Sequence, residues 1–357
     1  MERNNKKIVV GLSGGVDSSV SALLLKEQYT DVTGAFIRTW QPDFIECTWK
    51  QDRRDAIRIA AKLGIPFKDV EAEQAYKEKV AEYMINEYKM GRTPNPDILC
   101  NREIKFGVFW KEIHALGKTH IATGHYAQNF FIDGEWQLHM SKDEEKDQTY
   151  FLWKLTQDDL EHILFPVGHL VKKQVRALAE KAGLSTASKK DSQGVCMLGD
   201  LDMKDFLKHY IKEVPGAVVD TSGRVVGKHD GVWFFTIGER HGFTIDGEYS
   251  EEGPWYVVKK DIEKNILVVR SSKEVVIEKK EYIQIDTVNW IPKDLPKIGT
   301  KILFRTRYRE TLKQGIIVSI ENNVWSIQSQ EIPETACSGQ SLVMYTGTQC
   351  LGGGVII

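Results

Sequence analysis

The sequence predicts an α/β fold, with a parallel sheet flanked by helices in the first half of the chain and a mostly β second half. Two observations carry that expectation. Up to about residue 200, apolar strand runs alternate with segments of helical period. Beyond about residue 205 the pattern changes to short alternating runs broken by turn pairs.

The elements follow in order. Lys6 to Leu12 (KKIVVGL) is a continuous apolar run of the kind a strand buried on both faces needs. Asp17-Ser18-Ser19 offers a helix start, and VSALLLKEQ carries apolar residues on a helical face. VTGAFIRTW reads as the next strand, and Asp52 to Leu63 as a helix stopped by Gly64 and Pro66. PFKDVEA and THIATGHYA are further short strands, with an amphipathic segment from Gln74 to Met90 between them. Repeated units of this kind place ligands beyond the C-terminal ends of the strands, which is where the loop GLSGGVDSS lies. In the second half, TSGRVVG, HDGVWFFTIG, IDGEYS, EKNILVVR and ENNVWSIQ are short runs bounded by turn signals. The prolines of IPKDLPKIG make it a linker or edge between two small β units.

With 357 residues and a prior of about 150 per domain, two or three units are expected. The hydrophobic share of 41% and charged share of 27% are those of a globular protein. Runs such as IVVGL and GGGVII are far shorter than the ~18 to 20 residues that span a bilayer, and MERNNKK lacks the apolar core of a signal peptide. A cytoplasmic protein without a membrane partner is the expectation. The net charge of -2 means that a polyanion would have to bind a local patch. Five cysteines, odd in number and without C-x-x-C pairs, argue against a disulfide scaffold and a zinc ribbon.

Gly11-Leu12-Ser13-Gly14-Gly15 has two chemical readings. It fits the G-x-S-x-G elbow of serine hydrolases, with Ser13 as nucleophile. It also fits a phosphate loop, because Val16-Asp17-Ser18-Ser19 opens a helix whose free amides favour anions. A glycine-rich turn without a ligand is the plain alternative. The added carboxylate and two hydroxyls favour the phosphate loop, since an elbow does not call for them. Gly117-Lys118-Thr119 resembles the tail of a Walker A loop, but Glu112 stands where its first glycine is required.

Two cysteines sit in chemically suggestive surroundings. Cys100 follows the proline-set loop Thr93 to Asp97 near a helix start, beside Arg102 and Lys105, a setting that raises thiolate content. Cys196 lies in the polar stretch Lys189 to Gly199, beside two lysines. A buried, inert thiol is the competing reading for each. Cys47, Cys337 and Cys350 lack such surroundings and read as structural.

SGGVDSS resembles the pyrophosphate loop of the N-type ATP pyrophosphatases, which cleave ATP between the α and β phosphates. The order of SGGVDSS, TPNPDILCNREIKFG, ATGHYA, KDQTYFLW, FPVGHL, KKDSQGVCMLG, FTIGERHGF, PWYVVKKD, RTRYRE and SGQSLVMYTGTQCLGGGVI is similar to that of the bacterial tRNA-specific 2-thiouridylases, over nearly the whole chain. The resemblance implies a Rossmann-like catalytic domain over 1–204, a small β-rich domain over 205–280 and a C-terminal β-barrel over 281–357. It implies an enzyme that uses ATP with Mg²⁺ to replace the C2 oxygen of the wobble uridine of tRNA with sulfur.

The residue roles implied by the resemblance are specific. Gly11, Leu12, Ser13, Gly14, Gly15, Val16, Asp17 and Ser18 bind ATP, Asp17 meets Mg²⁺ and the phosphates, and Ile37 and Gly124 line the adenosine pocket. Cys196 carries a persulfide delivered by a sulfur-relay protein or cysteine desulfurase. Cys100 is the nucleophile that helps release this sulfur, leaving a transient Cys100–Cys196 disulfide, and Asp97 is the acid/base candidate. Asn95, Pro96 and Asp97 contact the target base, swung out of the anticodon loop. His125, Lys146, Asp147, Gln148, Arg307, Tyr308 and Gln340 touch tRNA, for which RTRYR is a suitable patch. Leu12 in place of methionine, Gln193 in place of threonine and the stretch TWQPDFIECTWKQD depart from the family pattern without removing a reactive group.

Overall fold

A computed structural model describes residues 4–45, 49–190, 202–272 and 281–357. Cys47 and Cys196 lie outside those residues, as does Gln193.

The first half builds the expected parallel sheet. Its strands are β1 (Asn4–Gly11), β2 (Tyr29–Arg38), β3 (Phe67–Glu71), β4 (His120–Ala122) and β7 (Ile163–Leu164), in the order β3-β2-β1-β4-β7. β1 is central, and Ile8 and Val10 have no solvent exposure, as its apolar run requires. Helix α1 (Val16–Gln28) follows β1, and α2 (Trp49–Leu63) follows β2. Helix α3 runs through Glu73–Tyr76, Lys77–Ala81 and Glu82–Lys89. Helix α4 runs through Pro96–Leu99, Cys100–Val108 and Phe109–Ala115, its middle stretch widened to π-helical hydrogen bonding, a feature often found where a helix serves a site. Two shorter helices, α5 (Gln157–His162) and α6 (Lys172–Lys181), complete this half.

After helix α7 (Met203–Lys208) the described residues are mainly β, as the turn spacing predicts. A five-stranded sheet holds β8 (Gly216–Val219), β9 (Val225–His229), β10 (Thr244–Ile245), β11 (Trp255–Asp261) and β12 (Ile266–Ser271). The last six strands are β13 (Tyr282–Trp290), β14 (Lys301–Arg305), β15 (Lys313–Glu321), β16 (Val324–Gln328), β17 (Ser341–Thr346) and β18 (Gln349–Ile356). They form an antiparallel barrel closed by the pairing of β13 with β18. Asn322 and Asn323 turn the β15–β16 hairpin with φ of 49° and 64°, the left-handed pair such a turn needs.

Two features differ from the sequence reading. IPKDLPKIG does not separate two β units; it joins β13 to β14 within the barrel, where its prolines need donate no ladder hydrogen bond. The segment after β4 also leaves the strand–helix alternation. It forms a hairpin of β5 (Ala127–Ile132) and β6 (Glu135–Met140), and β6 pairs with β18, so the hairpin extends the barrel's own sheet. Local pattern cannot reveal such a pairing, because its partner lies some two hundred residues away.

The segment after the hairpin is driven into the barrel wall. Trp153 and Tyr150 are almost fully enclosed, and Tyr150 Oη donates to Thr306 O at 2.9 Å and Ser341 O at 3.1 Å. Gly353 on β18 makes room: a Cβ there would stand 2.6 Å from Leu342 O and 3.1 Å from the Trp153 ring. At the centre of this seam, Arg305 donates to Asp147, with side-chain exposures of 4% and 0%. Removing one partner leaves the other as a buried unpaired charge. Arg305→Met is therefore expected to destabilise the protein by about 3–5 kcal/mol, and Arg305→Met/Asp147→Leu by less, as read from urea denaturation of the variants side by side.

Candidate active site

The loop between β1 and α1 is shaped as an anion site. Gly15 precedes the helix with extended backbone and has no side chain to cap it, so the first amides of α1 are left for a ligand. The hydroxyls turn inward instead: Ser18 Oγ donates to Gly15 O at 3.1 Å, Ser19 Oγ to Gly15 O at 2.7 Å, and Ser13 N to Ser18 Oγ at 3.2 Å. Gly14 has φ of +74°, and a Cβ on it would lie 2.5 Å from Asp52 O. Ser13 Oγ meets Ser18 Oγ and the Gly15 amide; none of these contacts is the histidine a serine nucleophile needs.

Gly124 closes the other side. A Cβ there would lie 2.7 Å from Ser18 N, so only glycine lets the turn after β4 lie against the helix start. Ile37, at the C-terminal end of β2, is half-buried on the same sheet edge. Asp17 is held by a lysine and a tyrosine. Its carboxylate accepts from Lys172 Nζ at 2.8 Å on both oxygens and from Tyr126 Oη at 2.8 Å. Among the described residues no cluster of three metal-binding side chains occurs.

The cysteine helix begins at the same edge. Asn95 caps it by accepting from Asp97 N at 3.2 Å, and Pro96 takes the first helical position. Asp97 is half-buried in the first turn, one turn before Cys100. Cys100 has no solvent exposure. The cations near it are engaged: Arg102 pairs with Asp159, and Lys105 Nζ donates to Asn101 Oδ1 at 2.9 Å. Lys105 Nζ also faces His125 Nε2 at 3.5 Å. That contact joins the cysteine helix to the turn bearing Gly124, and so to the phosphate loop.

The residues expected to touch tRNA divide in two. His125 and Asp147 are interior. The Asp147 carboxylate accepts from Arg305, from Thr149 Oγ1 at 2.8 Å and from Ser141 N at 3.2 Å, so it shapes its loop from beneath and does not face solvent. Lys146, Gln148, Arg307, Tyr308 and Gln340 are half-buried. Gln148 is tied to Tyr126 in both directions, at 2.8 and 2.9 Å. Arg307 donates to Ile237 O and Thr335 O, joining the β9–β10 loop to the β16–β17 loop. Tyr308 packs on Phe151 with ring centroids 4.6 Å apart.

Sequence reasoning missed the polar frame around the loop: Tyr126, Lys172, Arg176, Thr186 and Lys189. Lys189 Nζ donates to Gly14 O at 3.0 Å, Asp52 Oδ1 at 2.8 Å and Asp55 Oδ2 at 2.9 Å. Its position in KKDSQGVC, just before a reactive-looking cysteine, was the available signal.

Comparison with known proteins agrees with this architecture. Three family descriptions match in succession: a tRNA methyl transferase HUP domain over residues 6–200, a tRNA methyl transferase PRC-barrel domain over 204–271 and an aminomethyltransferase beta-barrel domain over 280–356. The tRNA-specific 2-thiouridylase MnmA of Geobacillus thermodenitrificans (strain NG80-2) is 43% identical over 353 residues, spanning 98% of this chain and 94% of that protein. That of Alkaliphilus oremlandii (strain OhILAs) is 44% identical over 354 residues, spanning 98% and 96%. This chain belongs to the tRNA-specific 2-thiouridylase family.

In this 2-thiouridylase the departure at Leu12 falls on the buried side of the loop. Leu12 N donates to Ala35 O at 2.7 Å and its side chain is 2% exposed, so leucine fills the place of a methionine with little change in volume.

His125 supplies a test of how dry the junction is. Burial first, and the Lys105 ammonium second, hold its pKa well below 6.5. Between that lowered value and about 6.5 the unfolded chain binds a proton that the folded chain refuses, so this histidine lowers stability as pH falls below about 6.5. His125→Gln is expected to flatten the decline by up to about 1.4 kcal/mol per pH unit, measured by urea unfolding between pH 7.5 and 5.5.

Proposed function

We propose that this enzyme carries out ATP-dependent 2-thiolation of the wobble uridine of tRNA, with the phosphate loop, the Cys100 helix and the Cys196 segment as its working parts. The observation that carries the reading is the convergence at one sheet edge. Gly124 lies against Asp17 and Ser18, and His125, the next residue, touches Lys105 on the cysteine helix.

The uracil C2 oxygen is a poor leaving group. In the proposed reaction it attacks the α phosphorus of ATP, pyrophosphate departs, and AMP becomes the group to be displaced. The free amides at the start of α1 stabilise the charge on the phosphates. Mg²⁺ fits here as an ion carried on the polyphosphate: Asp17 is a single carboxylate already paired with Lys172, and Mg²⁺ commonly takes one or two carboxylates beside phosphate oxygens. Its contribution would be to neutralise charge on the departing pyrophosphate.

The sulfur steps balance as follows. A persulfide on Cys196, charged by a sulfur-relay protein or desulfurase, attacks C2 through its terminal sulfur and expels AMP. The Cys100 thiolate then attacks Cys196 Sγ, releasing 2-thiouridine and leaving a Cys100–Cys196 disulfide that an external thiol must reduce. Asp97, one turn from Cys100, is the proton carrier beside the base. Burial of Cys100 protects it from other oxidants until that partner arrives. Lys146, Gln148, Arg307, Tyr308 and Gln340 form the tRNA-facing rim.

The deciding experiment is mass analysis of tRNA after incubation with ATP, a persulfide donor and enzyme. The wild type is expected to exchange one oxygen for sulfur at the wobble uridine, and Cys100→Ser and Cys196→Ser each to abolish that gain. Full thiolation by either variant would remove its cysteine from the mechanism.

A further inference from the structure

Lys189 lies outside every role assigned above, yet its ammonium rests on the backbone of the phosphate loop. Its three donors are matched by Gly14 O, Asp52 Oδ1 and Asp55 Oδ2, at 3.0, 2.8 and 2.9 Å. Asp52 and Asp55 project from α2, whose backbone lies directly beneath Gly14. The main chain around Lys189 is pinned independently of this side chain. Arg176 Nη1 donates to Ala187 O at 2.8 Å and Lys189 O at 3.0 Å, and Thr186 Oγ1 donates to Ser19 Oγ at 3.0 Å. The head group is thus a point charge at the end of a flexible stem on a fixed mount, a third exposed.

In this arrangement the Lys189 charge is spent on the α2 carboxylates. Lys189 lies between two carboxylates beside a loop shaped to receive a polyphosphate, and Asp55 also accepts from Arg58 Nη1 at 3.2 Å, so Asp55 would keep a partner if the lysine left. Burial works against the Lys189 charge, yet Asp52 and Asp55 raise its pKa above the ordinary value, so the ammonium stays charged and is worth most where negative charge is densest. An incoming triphosphate offers that.

We propose that Lys189 is a phosphate ligand held in store: on ATP binding its ammonium leaves the α2 carboxylates and pairs with the polyphosphate in the loop. Asp52 and Asp55 are then competitors of ATP for one lysine, and they set nucleotide affinity below what the loop could reach. The inference rests on the ATP-site reading of Gly11 to Ser18 and goes beyond it, because it assigns opposite effects to the two sides of one ion pair.

The test is equilibrium ATP binding by the full chain, measured by calorimetry without tRNA. Lys189→Gln is expected to weaken ATP about tenfold, the lower range for a charge-assisted hydrogen bond. Asp55→Asn is expected to tighten it about threefold, the scale of a partly exposed ion pair. Lys189→Gln/Asp55→Asn should match Lys189→Gln, since the competitor matters only while the lysine is present. A lysine that merely props the loop predicts weaker binding in both single variants, and that result overturns the proposal, as does unchanged affinity in Lys189→Gln. Should Lys189→Gln fail to fold, Lys189→Ala takes its place in the same comparison, and tightening by Asp55→Asn that persists without the lysine overturns the exchange. A wild type that binds ATP but leaves tRNA unthiolated would remove the thiolation reading and leave this comparison intact, whereas one that binds no ATP overturns both.

Discussion

The buried ion pair between Arg305 and Asp147 fixes where the barrel and the catalytic half of the chain meet. Taking both charges out of water costs several kcal/mol per ion, and the structure offsets this by satisfying the pair on every side. Tyr345 Oη lies 2.8 Å from Arg305 Nη2, and Thr149 Oγ1 and the Ser141 amide complete the carboxylate. Such a network tolerates one register only. It therefore sets the loop bearing Lys146 and Gln148 against the turn bearing Arg307 and Tyr308, and brings into one rim residues that are far apart in sequence.

From that seam a run of direct contacts leads back to the phosphate loop. Asp147 shapes the turn that presents Gln148; Gln148 is bonded to Tyr126; and Tyr126 Oη donates to Asp17 at the start of α1. The rim that would receive the anticodon and the loop that would receive ATP are thus parts of one hydrogen-bonded frame. Cations in this frame are held by acids: Lys172 by Asp17, Lys189 by Asp52 and Asp55, Arg102 by Asp159. A site for a polyanion built this way stays neutral enough to fold.

Much of the catalytic half was legible in the chain. The apolar run of β1, the glycines after it and the helix start at Val16 are local features, because strand burial, a positive φ and helix capping are decided within a few residues. Asn95-Pro96-Asp97 could be read as a rigid loop for the same reason, and the structure makes it a helix cap. The pairing of β6 with β18 was not legible, since an alternating strand carries no mark of its partner. Asp147 and His125, given tRNA contacts by the resemblance, are interior, and no local pattern could show the walls around them.

Sequence alone determined the fold class, the glycine-rich turn between β1 and α1, and the two cysteine segments that tie the chain to its family. These depend on short-range backbone geometry and on chemistry that residue types carry with them. Tertiary structure alone decided which polar groups face solvent and which are spent on each other. Arg305, Lys172 and Lys189 look alike as basic residues in a sequence, but burial and the position of a carboxylate give each a different task, and both are set by parts of the chain that meet only on folding.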